Sequence, residues 1–297
     1  MEPAYTKLLE IQFLLLIKSS VTFILEMIFK KKFQAVIFTI WSLPAIANAQ
    51  DTCVYLFTME QKADFVTADH LSNSYLLHGF EVEKYDSTGR FVSRYSNNRF
   101  GMPGFLDASN PLKILVWYAD FQTAVFLDRN MTELGRLNVA DVGWPSVATI
   151  AMASDGNLWI YDLASFKLLK ISTSGEKVAD SEPLNFVHDI DASISISSIR
   201  DNGERVYVGF RGLGMLSFDI FGQNSELQTF DRSFSQFEIV GNYCISLNQD
   251  RIGIQEIGTF NYKERLFPKS IPAGKSYWIS KKRLFVQIKS GVAVYGF

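Results

Sequence analysis

Short runs of hydrophobic residues alternate with polar turns along most of this chain, from about residue 52 to residue 297. The stretch Ser154–Ser172 is representative. Its first turn, Ser154–Asn157, contains glycine, which tolerates a positive φ, and Asp and Asn, whose side chains hydrogen-bond to their own backbone. The runs Leu158–Tyr161 and Phe166–Ile171 follow, separated by a second turn and rich in residues that favour strands. This order of turns and strands predicts an antiparallel β-meander.

The same pattern recurs about every forty residues, a spacing that is typical of repeat architectures. Each repeat has a central hydrophobic run with a predicted strand before it and another after it, and five of the repeats have a fourth strand. The sequence therefore predicts six units, the last of which lacks its fourth strand. The central runs begin at Ser74, Ile114, Asn157, Arg205, Tyr243 and Arg283.

One further predicted strand, Thr52–Thr58, precedes the first repeat and belongs to none of them. If this strand completes the sixth unit, the ring closes and no sheet edge is left bare at the junction. We therefore predict an all-β fold over residues 50–297. It is a six-bladed β-propeller of four-stranded antiparallel blades whose N-terminal strand closes the last blade. A two-sheet sandwich, the alternative, requires neither the repeat nor the additional strand.

Two local motifs resemble the repeats of six-bladed propellers of the NHL and TolB-like kind. They are the turn and strand Asp155–Trp159 (Asp-Gly-Asn-Leu-Trp) and the hairpin Tyr85–Gly89 (Tyr-Asp-Ser-Thr-Gly). The fifth unit departs from the pattern, with Val240–Asn242 in place of the Asp-Gly turn. The resemblance covers about residues 52–297 and implies an architecture without a particular activity. The chain is also similar to uncharacterised exported propeller proteins of the Bacteroidetes type.

The N-terminal region contains the three parts of an export signal in the expected order within residues 27–49. Lys30–Lys32 is a basic segment, Phe33–Ala47 is an apolar segment, and Ala-Asn-Ala ends at Ala49 as a cleavage site, with Gln50 as the first mature residue. This pattern predicts export to the periplasm, the cell envelope or the medium. An uncleaved membrane anchor is the alternative, and it is the one route by which we expect membrane contact.

Residues 1–26 are not needed by this signal. The apolar stretch Ile11–Phe29 is interrupted by Lys18 and Glu26, both of which are costly at the centre of a bilayer. We expect translation to begin at Met27. A membrane-embedded helix formed by the upstream residues is the alternative.

Composition and charge narrow the classes of function. The net charge of −2 and the scattered Lys and Arg residues exclude a nucleic-acid-binding protein, which needs clustered cations. There is no nucleophile motif of the Gly-x-Ser-x-Gly type, and the three histidines are far apart in sequence. Cys53 and Cys244 fit small buried hydrophobes better than a disulfide, although pairing stays open. We therefore expect no cofactor and a binding protein rather than an enzyme.

Candidate binding residues come from the turns between the second and third strands, which surround the channel on one face of a propeller. A mixed set of charges in such turns indicates either a binding surface or ordinary solvent-exposed loops. Trp144 is a further candidate because it lies in a loop between the second and third units, whereas Trp117, Trp159 and Trp278 fall within predicted strands and are expected to pack between blades. The turn residues are His78, Asp120, Gln122, Asp162, Arg211, Asp250, Arg251 and Lys289.

These expectations lead to one leading functional hypothesis, one enzymatic alternative and a third hypothesis, a purely structural envelope component held by its N-terminal segment. The hypothesis is an exported binding or scaffold module for a protein, peptide or glycan partner in the cell envelope. The alternative is a metal-dependent hydrolase of the lactonase or esterase type, similar to the gluconolactonase-like propellers, with a cation in the channel. Asp120, Asp162 and Asp250 offer oxygen ligands, but Arg211 and Lys289 at equivalent turns would repel the ion. We therefore predict no metal ligand.

Overall fold

The computed structural model describes residues 53–190, 193–229, 234, 236–248, 251–259, 261–267, 271–272, 274 and 276–296. The predicted signal peptide, its cleavage site at Ala49 and Gln50, and the candidate Asp250 lie outside the described residues. Residues 52–297 form one compact unit. Within the described ranges, no helix has the length and apolar character needed to cross a membrane.

The described residues form six antiparallel sheets of four strands each. The first strand of each sheet contacts the first strand of the next sheet, and the cycle closes from the sixth sheet back to the first. This arrangement is a six-bladed β-propeller, as the repeat predicts.

In blades 1 to 3 the chain passes from the innermost strand to the outermost one. A preceding strand, β1 (Val54–Met59), belongs to blade 6. The strands of blades 1 to 3 are β2 (Phe65–Ala68), β3 (Ser74–His78), β4 (Glu81–Tyr85), β5 (Phe91–Ser96), β6 (Phe105–Asp107), β7 (Ile114–Tyr118), β8 (Thr123–Leu127), β9 (Glu133–Asn138), β10 (Val147–Met152), β11 (Leu158–Asp162), β12 (Lys167–Ile171) and β13 (Lys177–Asp180).

Blades 4 to 6 continue in the same manner after a short helix, α1 (Leu184–Val187), and a 3₁₀ turn at Ala119–Phe121 lies within blade 2. The strands are β14 (Ile196–Asp201), β15 (Arg205–Phe210), β16 (Gly214–Asp219), β17 (Glu226–Thr229), β18 (Gln236–Val240), β19 (Tyr243–Asn248), β20 (Arg251–Glu256), β21 (Tyr262–Leu266), β22 (Tyr277–Ser280), β23 (Arg283–Ile288) and β24 (Gly291–Gly296).

The N-terminal strand closes the ring. β1 pairs antiparallel with β24, with Val54 opposite Gly296 and Met59 opposite Val292. The order in blade 6 is therefore β1-β24-β23-β22, which joins the first described strand of the chain to the last one. This confirms the predicted role of the additional strand, which covers an edge that would otherwise be open.

The hydrophobic core is divided among the six interfaces between neighbouring blades. Each of six clusters of buried side chains draws its residues mainly from two adjacent blades. Trp117, Trp159 and Trp278 are at most 5% exposed and lie in three of these clusters, as predicted. Cys244 is buried beside aromatic rings between blades 4 and 5, and Cys53 packs against the cluster between blades 5 and 6. Both cysteines thus act as small hydrophobic residues.

The Tyr-Asp-x-x-Gly hairpin has a clear physical basis. In blade 1 the carboxylate of Asp86 accepts hydrogen bonds from the backbone N–H groups of Thr88 and Arg90, at 2.9 and 3.0 Å. The Thr88 hydroxyl and these N–H groups hold the pKa of Asp86 well below its usual range, because they stabilise the charged form. Asp128 and Asp219 bind the same two positions of the corresponding turns in blades 2 and 4.

The structure differs from the sequence prediction in a few elements. The helix α1 is not predicted, because four residues carry no helical periodicity; its first N–H donates to the Phe166 carbonyl, and Leu184 is buried. The sequence predicts one strand at Gly104–Leu106 and another at Arg265–Phe267, whereas β6 covers Phe105–Asp107 and β21 covers Tyr262–Leu266. Boundaries of short strands are set by pairing with neighbours, which local sequence does not specify.

Candidate functional site

The propeller has two faces that differ in the loops they carry. The six inner strands end close together: Asp107 at the end of β6 accepts a hydrogen bond from Met152 at the end of β10, and Ser280 at the end of β22 accepts one from Ala68. We call this the end face; it carries the turns between first and second strands and those between third and fourth strands. The start face, where the inner strands begin, carries the connections between blades and the turns between second and third strands.

A charge network centred on one buried carboxylate lies at the end face, where the inner strands end. Glu238 on β18 is 3% exposed and bridges two neighbouring blades. One carboxylate oxygen lies 3.3 Å from Nε of Arg200 on β14, and the other lies 3.5 Å from Nζ of Lys281 beyond β22. The Arg200 guanidinium also lies 5.8 and 5.9 Å from the ring centres of Phe105 and Phe237. Blades 4, 5 and 6 are thereby linked through one carboxylate.

The other acid of the channel mouth, Asp107, is also fully engaged. Its two carboxylate oxygens accept backbone hydrogen bonds from Met152 and Ser109, both at 2.8 Å. The space that remains among these side chains is about 20 Å³, which holds about one water molecule. Among the described residues, no group of three or more His, Cys, Asp or Glu side chains is arranged to hold a metal ion.

Two of the predicted binding residues support the fold of the start face. Asp162 is 4% exposed, and its carboxylate accepts hydrogen bonds from the Ser165 hydroxyl and backbone N–H at 2.6 and 3.0 Å. The side-chain amide of Gln122 pairs with the backbone of Val147 in both directions, at 2.8 and 3.0 Å. Asp162 therefore stabilises a turn, and Gln122 joins blade 2 to the inner strand of blade 3.

Two others, His78 and Lys289, come together in a groove of about 680 Å³ between blades 1 and 6. Lys62 and Asp64 also line this groove, and Asp64 accepts a hydrogen bond from the backbone N–H that follows His78, at 2.8 Å. The groove is a polar recess of the start face whose charges are of both signs.

The remaining predicted residues lie apart from one another. Asp120 and Arg211 are exposed on different blades. Arg251 donates to Glu264 at 3.0 Å on the neighbouring strand. Trp144 is partly buried, and its indole N–H donates to the Gly175 carbonyl at 3.1 Å, so its ring packs between blades 2 and 3. The structure thus does not gather the predicted residues into one cluster.

Sequence reasoning missed a second feature of the start face, a set of exposed apolar side chains. They occupy the turns between second and third strands of blades 1 to 3 and the connections that follow blades 1 and 3. In the sequence each is an apolar residue inside a polar turn or connection, which is the signal that could have revealed them. We call this set the apolar row: Phe80 (42% exposed), Met102 (53%), Phe121 (52%), Leu163 (40%) and Phe186 (83%).

Comparison with known proteins agrees with the propeller architecture. A streptogramin B lyase structure aligns with a TM-score of 0.53 at 11% identity, over 82% of this chain and 96% of that chain. A protein of unknown function from Bacteroides caccae aligns with a TM-score of 0.48 at 14% identity, over 72% of this chain and 82% of that chain. No protein-family model matches the sequence, and no curated protein matches it either. At 11% identity the alignment with the lyase shows the fold alone, and the six four-stranded sheets define the class, that of six-bladed β-propellers.

Proposed function

We propose that this protein is an exported, non-enzymatic β-propeller that binds a protein or peptide partner through its start face. The apolar row carries this proposal. Large apolar side chains at 40–83% exposure on five loops of one face are costly to leave in water, and such patches typically mark interaction surfaces. The turns of the end face carry fewer exposed large apolar residues among those described: Leu71 and Leu112 between first and second strands, and Ile220 and Phe221 between third and fourth strands.

The chemistry of the row favours a polypeptide partner over a glycan. Phe, Leu and Met side chains have no hydrogen-bonding atoms with which to pair the hydroxyl groups of a sugar. They fit instead the apolar side chains of a partner, while exposed charges such as Asp120 and Arg211 supply a polar rim. Phe121 and Phe186 are the expected anchor residues because aromatic side chains contribute much of the energy of interfaces.

The acidic residues of the two faces also favour binding over hydrolysis. The acids of the channel mouth are already engaged, Glu238 by two cations and Asp107 by two backbone N–H groups. Asp162 is held by its own turn. A hydrolase would need carboxylates that are free to bind a cation or to move a proton.

Export is the second part of the proposal and rests on the basic, apolar and Ala-Asn-Ala segments that end at Ala49. We expect the protein from intact cells to be found in the envelope or periplasmic fraction, with an N-terminal peptide that begins at Gln50. Intact mass measurement and N-terminal peptide mapping test this. A cytosolic protein that retains residues 27–49 would contradict it.

Binding is tested by affinity capture from envelope extracts of the source organism with two matched variant pairs. F121S/F186S removes two members of the apolar row, whereas L71S/L112S removes two apolar side chains from the end face. We expect a partner retained by the wild-type protein and by L71S/L112S to be lost with F121S/F186S. Circular dichroism of each variant verifies folding. Equal capture by all three proteins would refute the role of the start face.

A further inference from the structure

We propose that a groove on the end face binds a small organic anion that has an apolar body, such as a medium-chain carboxylate. The groove has a volume of about 430 Å³, within the range of small-molecule sites, and lies among blades 5, 6 and 1. Three consecutive cations, Lys281, Lys282 and Arg283, line it at the turn between β22 and β23. We call it the basic groove.

The charge of the basic groove is positive. Asp69 is the one acidic residue among the described residues of its lining, and its carboxylate is already hydrogen-bonded. Its carboxylate accepts hydrogen bonds from the backbone N–H groups of Leu71 and Asn73, from the Asn73 amide and from the Tyr75 hydroxyl, at 2.8–3.0 Å. Asp69 is 1% exposed, so it offers little to a ligand beyond its charge.

Arg283 is a fixed cation in this groove. Its guanidinium donates to the backbone carbonyls of Ser72 and Ser87 at 2.8 and 3.1 Å, and it lies 5.4 Å from the ring centre of Phe57. These contacts hold the positive charge in place before any ligand arrives. The ammonium group of Lys282 is left to bind an anion directly, and that of Lys281 adds a second positive charge beside its 3.5 Å contact with Glu238.

The backbone around the groove is strained in two places. Lys281 adopts a left-handed conformation with φ of 56°, and the equivalent turn of blade 5 has Gly241 there, with φ of 57°. Glycine takes this conformation without strain, so the lysine is retained in blade 6 at a cost. Ser72, across the groove, also has a positive φ of 66°. Such strained residues concentrate at ligand sites.

Apolar residues form another part of the lining of the basic groove. Ile239 and Val240 line it from blade 5, Leu56 lines it from the outer strand of blade 6, and Gly241 and Gly296 leave room by having no side chain. An anion whose charged end faces Lys281 and Lys282 would therefore lay its apolar body against these residues. The shared chemistry is a carboxylate or a similar anionic group with a hydrocarbon part.

This site is separate from the proposed protein-binding surface, because the basic groove lies on the end face and the apolar row on the start face. The experiment is isothermal titration of the purified full-length chain with sodium octanoate and, separately, with sodium acetate. K281Q/K282Q removes two cations from the basic groove, and K282Q alone removes one of them while leaving the contact between Lys281 and Glu238 in place, so it should weaken binding in the same direction. K62Q/K289Q is the matched control, since it removes two cations from the start-face groove.

We expect octanoate to bind the wild-type protein and K62Q/K289Q alike, and K281Q/K282Q about tenfold more weakly, since two charge-assisted contacts are lost. Octanoate should bind at least about tenfold more tightly than acetate because its chain buries apolar surface, and L56S should reduce this preference. If K281Q/K282Q does not fold, K281G replaces it, because glycine suits this turn. Any of three results would overturn the proposal: octanoate does not bind, the two double variants bind it equally, or octanoate and acetate bind with equal affinity.

Discussion

The charge network at the channel mouth makes a quantitative prediction about stability. The substitution Glu238→Gln keeps the size of the side chain and removes its charge. Arg200 and Lys281 would then lose their shared carboxylate, while Arg200 would stay between the rings of Phe105 and Phe237. An unpaired cation in a partly buried site is destabilising, because it gives up hydration without an opposite charge in return.

The magnitude follows from burial. Removing one partner of a fully buried ion pair costs about 3–5 kcal/mol. The side chain of Glu238 is 4% exposed, but Arg200 and Lys281 are 20% and 40% exposed, so water screens part of the interaction. We therefore expect Glu238→Gln to lower the free energy of unfolding by about 2 kcal/mol. For a domain of this size that corresponds to a decrease in Tm of about 4–8 °C.

Thermal and denaturant unfolding, followed by circular dichroism, would measure this change. The control is Glu81→Gln, which breaks a pair of nearly the same length, 3.4 Å to Arg94, whose side chains are 37% and 60% exposed. Exposed pairs contribute about 0–1 kcal/mol, so we expect little change from the control. If Glu238→Gln costs no more than Glu81→Gln, the argument from burial is wrong.

Three further predictions concern other parts of the structure. The hydrogen bond from Lys167, 2.8 Å long, lowers the pKa of Asp180, so this contact stabilises the fold above the ordinary pKa of the carboxyl and is lost as pH falls through the lowered value. Asp180→Asn should therefore lower Tm at pH 7, by an amount that shrinks below about pH 4; a difference that is constant with pH would contradict this. Deleting residues 1–59 removes β1 and exposes the edge of β24, which can then pair with another chain. Light scattering should therefore detect larger assemblies of this variant than of a chain lacking residues 1–49. Equal masses of the two variants would argue against a protective role of β1. Burial raises the pKa of Cys244 to about 12, so in a Cys53→Ser background iodoacetamide at pH 8 should alkylate it only after unfolding, as mass spectrometry would detect; rapid labelling of the native protein would disprove this.

Much of the fold could be predicted because its signals are local and repeated. Each strand is a short hydrophobic run between turns, and each turn is marked by residues whose side chains or φ values suit it, such as Asp86 and Gly89. Because the pattern recurs in six units, the fold can be predicted even though the sequence signal of each single strand or turn is weak. The role of the strand near residue 54 could be predicted because the sixth unit lacked its fourth strand and this strand belonged to no other unit.

The candidate sites were less predictable because they depend on neighbours that are distant in sequence. Glu238, Arg200 and Asp107 lie on inner strands of different blades, where the sequence presents them as isolated charges within hydrophobic runs. The turn residues selected from the sequence include Asp162 and Gln122, whose side chains the structure commits to the fold through local and interblade hydrogen bonds.

The sequence by itself therefore determined the number of blades, the strands of each blade and the way in which the ring closes, since hydrophobic alternation and turn chemistry act over a few residues. Only the tertiary structure decided which charges meet in the channel and which apolar turn residues stay exposed. The tertiary structure also places His78 and Lys289 in one groove and Lys281 and Ile239 in another. The physical reason is that closing the ring sets the direction of every inner-strand side chain and places blades beside each other that the sequence separates by more than two hundred residues.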